Sequence, residues 1–430
     1  MRLATCKPLA VCLAALSALA VAACGGSGTS AGSGTGSKAS NAPSGGAKLV
    51  AIYSSLPLRG PSAAEAVPLE NGIKLALAQA GNRAGPFTVL YTPLDDSGGP
   101  SGWDPSQTAA NARRAAADPR TVFYIGDFDD EASEVSMPIL NQAGIPQVSP
   151  ANTDVGLTTS EPGSAAGEPQ RYAPTGTRTY LRIVPTNAIQ AAADLLTMKQ
   201  AGCRRVLVAD DGEEYGMGLA KLVEAQRRIY DIDLVTQTTL VPSNPSLHRM
   251  IASIKAELPD CLLLAGIASP ATVRMTDAFH IARPTARIFG PGGMCTRAWT
   301  NPRDGGVPAA IDPLIECTAV TLTLSAYPGG DAFLAAYKAR YGISDPSPYA
   351  ILGYEAMSLG LSTIADVGEK GDSKSAVLSA LFATTDRHSV LGTYGFDHNG
   401  DTTLRSFGLY RVGRSGNPTF VRTITPPHAV

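Results

Sequence analysis

The chain has 430 residues, enough for two or three domains at roughly 100–200 residues each. Apolar residues make up 44% and charged residues 17%, a balance that favours a large buried core and excludes a generally disordered protein. The formal net charge of −2 gives no electrostatic basis for nucleic-acid binding, and the five histidines are scattered, so we expect no nucleic-acid partner, metal or cofactor.

The N-terminal segment predicts export and lipid attachment. Arg2 and Lys7 precede an uncharged stretch over 8–23, which is shorter than the ~20 residues of a membrane-spanning helix and typical of a secretory signal peptide. Its end, VAAC at 21–24, resembles the lipobox of bacterial lipoproteins, whose cysteine is lipidated after cleavage. We expect a signal peptide over 1–23 and a lipid on Cys24. An ordinary signal peptide with a chance cysteine is the alternative.

A low-complexity segment follows. Residues 25–47 are nearly all Gly, Ser, Ala and Thr, which bury too little apolar surface to offset the chain entropy lost on folding. We therefore expect 24–47 to be a flexible tether. It joins the lipid anchor to a folded body that begins at residue 48, on the outer side of the bacterial cytoplasmic membrane.

Four cysteines remain in the body, and their even number suits an oxidising compartment. Cys203 and Cys261 each stand at the start of a predicted strand. If these strands are neighbours, the two thiols lie within reach of a disulfide. We favour a Cys203–Cys261 bond and, by elimination, a Cys295–Cys317 bond; four buried free thiols are the alternative. None has the CxxC spacing of a zinc or redox motif.

Apolar runs of strand length alternate with amphipathic runs of helix length in the first part of the body. This alternation predicts an open α/β sheet. The predicted strands are Leu49–Tyr53, Phe87–Tyr91, Val122–Ile125 and Pro146–Ser149, and the predicted helices are Glu70–Ala80, Ser106–Ala117 and Glu131–Ala143.

The same alternation restarts near residue 187 and predicts a second α/β lobe. Open α/β sheets bind ligands beyond the carboxyl ends of their strands, so we expect a ligand cleft between the lobes. Strands are predicted at Arg204–Asp210, Asp233–Leu240, Cys261–Ala265, Arg287–Gly290 and Glu316–Leu322, with helices near 187–201, 216–229, 246–258 and 270–281. Next come helices at Asp331–Tyr341, Tyr349–Val367 and Ser373–Thr384, a hairpin over Phe396–Leu404, and strands Ser406–Val412 and Thr419–Ile424.

Short motifs along the body are similar to those of one family. None is diagnostic alone, but their order and spacing resemble the type I periplasmic-binding proteins, specifically the Leu/Ile/Val-binding-protein-like solute receptors of ABC importers. The motifs, spread over 48–425, are LRGP at 58–61, Asn71-Gly72, Asp95-Asp96, YIG at 124–126, AGIP at 143–146, SPANT at 149–153, DDGEEYGMGLA at 210–220 and FDHNGD at 396–401.

The resemblance implies a fold and a function. The fold is two doubly wound open-sheet α/β lobes joined by three chain crossings, with lobe one at 48–183 plus 326–391 and lobe two at 184–325 plus 392–430. The function is to capture a small molecule by closure of the lobes and to deliver it, as a monomer, to an ABC permease. A receptor that signals through a separate membrane partner is the alternative. We expect no enzyme, because the sequence lacks the hydrolase-elbow, phosphate-loop and zinc-protease motifs.

On lobe one, the resemblance places ligand-binding positions in the loops after the third and fourth strands. In the first loop the expected serine is replaced by Asp130, beside Asp129, and an acid there repels a ligand carboxylate. These acids contact the ligand or only cap the following helix. In the second loop Ala151 and Thr153 match binding positions, where a hydroxyl and backbone N–H groups suit an acceptor on the ligand. The alternative is that Thr153 only closes the turn.

On lobe two, the resemblance assigns Tyr215 to the cleft wall, and two further family contacts are replaced. The tyrosine expected after the third strand is Ile267, and the acid expected after the fourth strand, which pairs with an amino group, is Gly292. Arg59, in the first loop near the cleft, contacts the ligand or pairs with the new acids. We therefore expect the ligand to be a cationic, neutral polar or aromatic molecule and not a branched-chain amino acid.

Overall fold

The computed structural model describes residues 48–99, 102–240, 244–413 and 415–427. The predicted signal peptide, the lipid on Cys24 and the tether lie outside the described residues. Within these ranges, no helix has both the length and the apolar character needed to cross a membrane.

The first lobe opens with alternating strands and helices, as the sequence pattern predicts. They are β1 (Lys48–Leu56), α1 (Ala63–Gln79), β2 (Arg83–Ala84), β3 (Phe87–Asp95), β4 (Ser97–Gly98), β5 (Gly102–Trp103), α2 (Pro105–Ala117), β6 (Thr121–Ile125), α3 (Asp130–Gln142), β7 (Gln147–Ser149) and β8 (Tyr180–Arg182). Six of these strands form one sheet in the order β2-β3-β1-β6-β7-β8.

The position of β1 inside this sheet explains why its sequence is mostly apolar. β1 is buried at every position from Val50 to Leu56. The run from Val50 to Tyr53 is apolar because a parallel strand with helices on both faces of its sheet meets water on neither face. All neighbours in the sheet are parallel except the short edge strand β2, which pairs antiparallel with β3.

The second lobe repeats the pattern. Its elements are α4 (Asn187–Gln200), β9 (Arg205–Asp210), α5 (Glu214–Gln226), β10 (Asp233–Thr239), α6 (Asn244–Glu257), β11 (Cys261–Ala265), α7 (Pro270–Ala282), β12 (Arg287–Gly290), α8 (Arg297–Thr300) and β13 (Ile315–Ala319).

The rest of the chain returns first to one lobe and then to the other. The elements are α9 (Gly330–Tyr341), α10 (Tyr349–Asp366), α11 (Lys374–Phe382), β14 (Arg387–Ser389), β15 (Gly392–Tyr394), β16 (Phe407–Val412) and β17 (Pro418–Ile424). The three helices share a hydrophobic cluster with β1, through residues such as Phe333, Ile351 and Val377. The two last strands complete a second sheet in the order β10-β9-β11-β12-β13-β16-β17, where β16 and β17 are antiparallel to their neighbours.

The prediction of two α/β lobes with three chain crossings is therefore confirmed at the level of the fold. The chain crosses between the lobes after β8, after β13 and after β15. The residue limits of the lobes stay predictions; Leu391, Tyr394 and Phe396 lie in the hydrophobic cluster of the first lobe.

The predicted hairpin is shorter than expected, and a strand pair just before it was not predicted. The segment over 396–404, predicted as a hairpin, does fold back on itself: Phe396 and Thr402 form an antiparallel bridge, and the N–H of Thr403 donates to the carbonyl oxygen of Gly395 at 2.9 Å. The paired strands are β14 and β15, just before it. Each has only three residues, too few to show a period-two pattern in the sequence.

Both disulfides join the cysteines that the sequence favours, Cys203 with Cys261 and Cys295 with Cys317. Cys203 precedes β9 and Cys261 begins β11, and these strands are parallel neighbours in the sheet. Their amino ends therefore bring the two Cα atoms to 5.8 Å. The second disulfide ties the loop after β12 to β13.

Residues 154–177, which we call the bridging segment, contact both lobes. Val155 belongs to the hydrophobic core of the second lobe, whereas Leu157 packs against Met137 and Tyr180 of the first. The segment therefore spans one side of the space between the lobes.

A buried ion pair ties the bridging segment to the crossings. Arg182, at the end of β8, is completely buried, and its Nε donates a hydrogen bond to Asp401 at 2.7 Å. Thr158 donates from its hydroxyl to the second oxygen of Asp401 at 2.9 Å. Because Arg182 precedes the first crossing and Asp401 lies in the third, this cluster joins both crossings to the bridging segment.

Candidate functional site: the cleft between the lobes

Loops at the carboxyl ends of the strands face each other across the space between the lobes. The loops after β6 and β7 come from the first lobe, and the start of α5 and the loop after β12 come from the second. Burial raises the pKa of Tyr215 on α5, and the charges of Asp194 and, from the opposite lobe, Asp130 add to this increase. The predicted cleft therefore brings Tyr215 and Asp130 into one electrostatic environment.

Asp130 occupies the backbone donors that the resemblance assigns to the ligand. One of its carboxylate oxygens accepts hydrogen bonds from the N–H of Thr153 at 2.8 Å and the N–H of Asp154 at 3.1 Å. Asp129 stands at the N-cap of α3, but its side chain makes no capping hydrogen bond. The capping alternative is therefore wrong for Asp129, and the N–H of Thr153 is already satisfied from within the protein.

Three further carboxylates of the first lobe, those of Glu65, Asp129 and Glu131, have no basic partner in the described part of the chain. Burial raises the pKa of Glu65 at the start of α1, of Asp129 and of Glu131. For Asp129 the pKa rises to about 7, and the neighbouring charge of Glu131 contributes. The Oδ2 atom of Asp129 is buried and makes no hydrogen bond to any described residue. This face of the cleft is therefore acidic.

Two aromatic rings lie beside these acids. Phe128, in the loop after β6, and Tyr349, at the start of α10, are both half-buried, with ring centroids 5.1 Å apart. Burial raises the pKa of Tyr349, and the charges of Glu65 and Asp129 add to the increase. Rings and carboxylates on one face suit a cationic group, which is attracted to both.

A polar cluster forms the second-lobe side of the cleft. The Tyr215 hydroxyl donates to Gln190 Oε1 at 3.2 Å, and the Thr318 hydroxyl donates to Asp194 Oδ1 at 2.6 Å. Gln190 and Asp194 are one turn apart on α4 and are only 2% and 1% exposed. Burial raises the pKa of Asp194 to about 7. Gln190 Nε2 and Asp194 Oδ2 are buried without a hydrogen-bond partner among the residues described.

The remaining candidate residues differ in burial and in their contacts. Ala151 is half-buried, and Gly292 is half-buried in the loop after β12. Ile267 is 51% exposed and leaves its position at the cleft without a polar group. Arg59 pairs with Asp95 at 2.5 Å and with neither Asp129 nor Asp130, so the predicted pairing of Arg59 with those acids is wrong.

One group of acids at the edge of the cleft has the spacing of a metal site. Carboxylate oxygens of Glu134, Glu168 and Glu214 lie within 4.8 Å of one another. Arg171 donates to Glu168 at 2.5 Å and to Glu134 at 3.1 Å. A guanidinium therefore already offsets two of the three charges, and we assign no metal to this group.

Sequence reasoning missed Gln190 and Asp194, as well as Phe128 and Tyr349. The sequence does contain a signal for the first two residues. They are polar, one turn apart, and stand in a run of alanine and leucine that otherwise predicts a core-facing helix. Polar groups on a buried helix face need partners, and this requirement marks them as candidates.

Comparison with known proteins identifies the class. A model of the family described as periplasmic binding protein matches residues 54–417. No curated protein matches the chain. A substrate-binding protein of an ABC transporter from Desulfitobacterium hafniense, in complex with Leu, is 17% identical with a TM-score of 0.69 over 87% of this chain and 100% of its own.

Two further solved structures are similar to this one. A solute-binding protein from R. palustris, in complex with benzoate, is 17% identical with a TM-score of 0.66, over 89% of this chain and 98% of its own. A leucine-binding protein from Thermotoga maritima is 20% identical with a TM-score of 0.67, over 88% of this chain and 99% of its own.

The two α/β lobes and the cleft between them define a protein with the type I periplasmic-binding fold. The chain belongs to the periplasmic binding protein family. Proteins of this family and the structural relatives are solute-binding proteins and not enzymes, in agreement with the prediction from the sequence.

Proposed function

We propose that this protein captures a small solute between its lobes and delivers it to an ABC importer. The observation that carries the proposal is the set of polar groups facing one cleft from both sheets, with Asp130 and Thr153 on one side and Tyr215 on the other. A ligand that contacts both sides stabilises the closed form, because its affinity for that form is higher. A permease can then distinguish the closed, loaded protein from the empty one.

The proposal includes an anchor on the outer side of the bacterial cytoplasmic membrane. Its support is the sequence alone: a signal peptide over 1–23, a lipid on Cys24 and a tether over 24–47. Cys24→Ala should abolish incorporation of an alkyne-labelled fatty acid. It should also prevent processing of the precursor or release the chain from the membrane fraction. Unchanged labelling in this variant contradicts the anchor.

The ligand of this protein should lack a carboxylate at the first-lobe position. The related proteins from Desulfitobacterium hafniense and R. palustris are in complex with Leu and with benzoate, both of which carry a carboxylate. Here the Asp130 carboxylate already accepts from the N–H groups of Thr153 and Asp154. A ligand carboxylate at this place would find both donors already occupied.

Delivery is tested by uptake in cells. A strain without the gene should lose uptake of the solute that stabilises the purified protein, and the wild-type gene should restore it. Tyr215→Ala should restore it poorly, whereas Asp231→Ala, at an exposed surface pair with Lys199, should restore it fully. Normal uptake in the deletion strain contradicts the transport proposal, and a response to the solute that persists only through a separate membrane receptor favours the sensing alternative.

A further inference from the structure

Two buried polar groups under the cleft have no hydrogen-bond partner among the residues that the structure describes. The Nε2 atom of Gln190 and the Oδ2 atom of Asp194 are each shielded from solvent and make no hydrogen bond within the described chain. Both residues are more than nine-tenths buried. Leaving such a group unpaired is costly, so a site of this kind is usually completed by water or by a ligand.

A glycine without a side chain, Gly292, lies in the loop above Gln190. A Cβ atom at Gly292 would lie 3.7 Å from Gln190 Nε2 and 3.8 Å from the carbonyl oxygen of Thr318. Thr318 also donates its hydroxyl to Asp194. Thr318 therefore contacts both the loop at Gly292 and the buried carboxylate. Because residue 292 is a glycine, no side chain stands between the backbone of this loop and the Gln190 amide.

The contacts of this cluster favour a donor on the ligand. Asp194 uses one oxygen for Thr318 and keeps the other free as an acceptor. The Gln190 amide contacts the Tyr215 hydroxyl, which can donate or accept. The amide can therefore turn either its oxygen or its nitrogen toward the cleft. Gln190 can thus pair with a donor or an acceptor on the ligand, whereas the Asp194 carboxylate favours a positively charged donor.

The charges around the cleft favour the same sign of ligand. Glu65, Asp129 and Glu131 line the opposite lobe without a basic partner in the described residues. Two guanidinium groups act on nearby acids, but Arg182 is paired with Asp401 and Arg171 with Glu168. These two guanidinium groups are therefore already paired, whereas Glu65, Asp129 and Glu131 are available to a cationic ligand.

We propose that the cleft binds a protonated amine, whose ammonium group donates to Asp194 beside Gly292 and whose body lies against the rings of Phe128 and Tyr349. This inference rests on the proposed solute-binding function and names the substrate class for that same cleft. Asp194 supplies, from a helix, the acid that the family places at position 292. Aromatic rings attract cations, so Phe128 and Tyr349 also favour a positively charged ligand.

The test is titration calorimetry on the purified full chain in detergent, with amines paired to neutral counterparts of the same shape. The pairs are tyramine with tyrosol, phenethylamine with 2-phenylethanol, and putrescine with 1,4-butanediol. We expect at least one amine to bind, and to bind at least ~10-fold more tightly than its neutral counterpart, the effect of one charge-assisted hydrogen bond. Asp194→Asn should weaken that amine ~10-fold or more and remove most of the preference.

A matched control separates this loss from a loss of folding. Asp312 is as buried as Asp194, at 1% exposed, and both of its carboxylate oxygens also lack a partner within the described ranges. Because Asp312 precedes β13 and is outside the cleft cluster, Asp312→Asn should leave amine affinity unchanged. Melting temperatures of both variants show whether each still folds.

Two outcomes contradict the inference. The first is the absence of binding by every amine in the set. The second is tight binding of a neutral or carboxylate compound with an affinity that Asp194→Asn does not change. The second outcome leaves the proposed solute-binding function intact, because a solute still binds. Failure of that function is recognised separately, by normal uptake in the deletion strain.

Discussion

The carboxylate of Asp130 accepts a hydrogen bond from the backbone N–H of Thr153 over 2.8 Å, across the cleft-facing ends of β6 and β7. The protein thus places a carboxylate of its own at the position where the resemblance to the family leads us to expect the ligand carboxylate. This contact changes the chemistry of the cleft, because two backbone donors are already occupied by a side chain of the protein. Burial raises the pKa of Asp130, and the nearby charge of Asp154 adds to the increase.

Removing the carboxylate of Asp130 should allow the cleft to bind a ligand carboxylate. Asp130→Ser removes the acid and frees the N–H groups of Thr153 and Asp154, so we expect the affinity for leucine or benzoate to rise by ~10-fold or more, measured by titration calorimetry. Asp130→Asn is the matched control, since its amide oxygen still accepts from both N–H groups and should give a smaller gain. Equal affinities in the wild type and Asp130→Ser contradict the explanation.

The buried ion pair between Arg182 and Asp401 should be important for stability. Asp401→Asn leaves a fully buried guanidinium without its counter-charge, which costs about 3–5 kcal/mol when a buried pair is broken. Urea unfolding should show this loss. In the exposed pair of Lys199 with Asp231, the same change to Asn at Asp231 should cost less than about 1 kcal/mol. Similar losses of unfolding free energy in both variants would contradict the expectation that the buried pair contributes more than the exposed one.

Stability should also depend on pH in a defined direction. Burial raises the pKa of Asp129 and of Asp194 to about 7, from 3.8. The folded protein therefore binds protons that the unfolded chain has already released. The free energy of unfolding should fall as the pH rises from about 4 to about 7.

Urea midpoints measured across this pH range check the prediction. The midpoint should be lower near neutral pH than near pH 5, about one unit above the ordinary carboxyl pKa. Asp194→Asn removes one of the titrating groups and should flatten the slope. A midpoint that rises with pH over the same range indicates that these acids are ionised in the folded protein and have found partners.

Most of the fold could be predicted from the sequence, because its signal is local. The buried strands β11 and β12 lie at the residues that their apolar runs predict, since a strand covered on both faces has few alternatives. The three-residue strands β14 and β15 carry no such pattern, and only their contact with the first lobe defines them.

The cleft was harder to predict, because its chemistry depends on contacts distant in sequence. Asp130 was identified as an unexpected acid, but its partners, the N–H groups of Thr153 and Asp154, become visible only when two loops meet. Asp194 lies in the helix predicted near 187–201, and the sequence pattern alone assigns it no place in the cleft. Its role depends on Thr318, which is 124 residues away in the chain.

The two disulfides should differ in what their removal changes. Each should contribute about 2–4 kcal/mol of stability, by restricting the unfolded chain. The Cys203–Cys261 bond closes the larger sequence separation, 58 residues against 22, so its loss should cost slightly more. Serine pairs in place of each disulfide, compared by urea unfolding under non-reducing conditions, measure these two costs.

Only the bond between Cys295 and Cys317 should also affect ligand binding. It joins the loop that contains Gly292 to β13, where Thr318, the residue after Cys317, holds Asp194. Without this bond the loop and the strand are no longer fixed to each other, so affinity for the amine that binds most tightly should fall several-fold. Cys203 and Cys261 lie at the opposite, amino ends of their strands, and the serine pair there should leave affinity unchanged. Equal loss of affinity in both pairs would mean that global stability, and not the geometry of the cleft floor, governs binding.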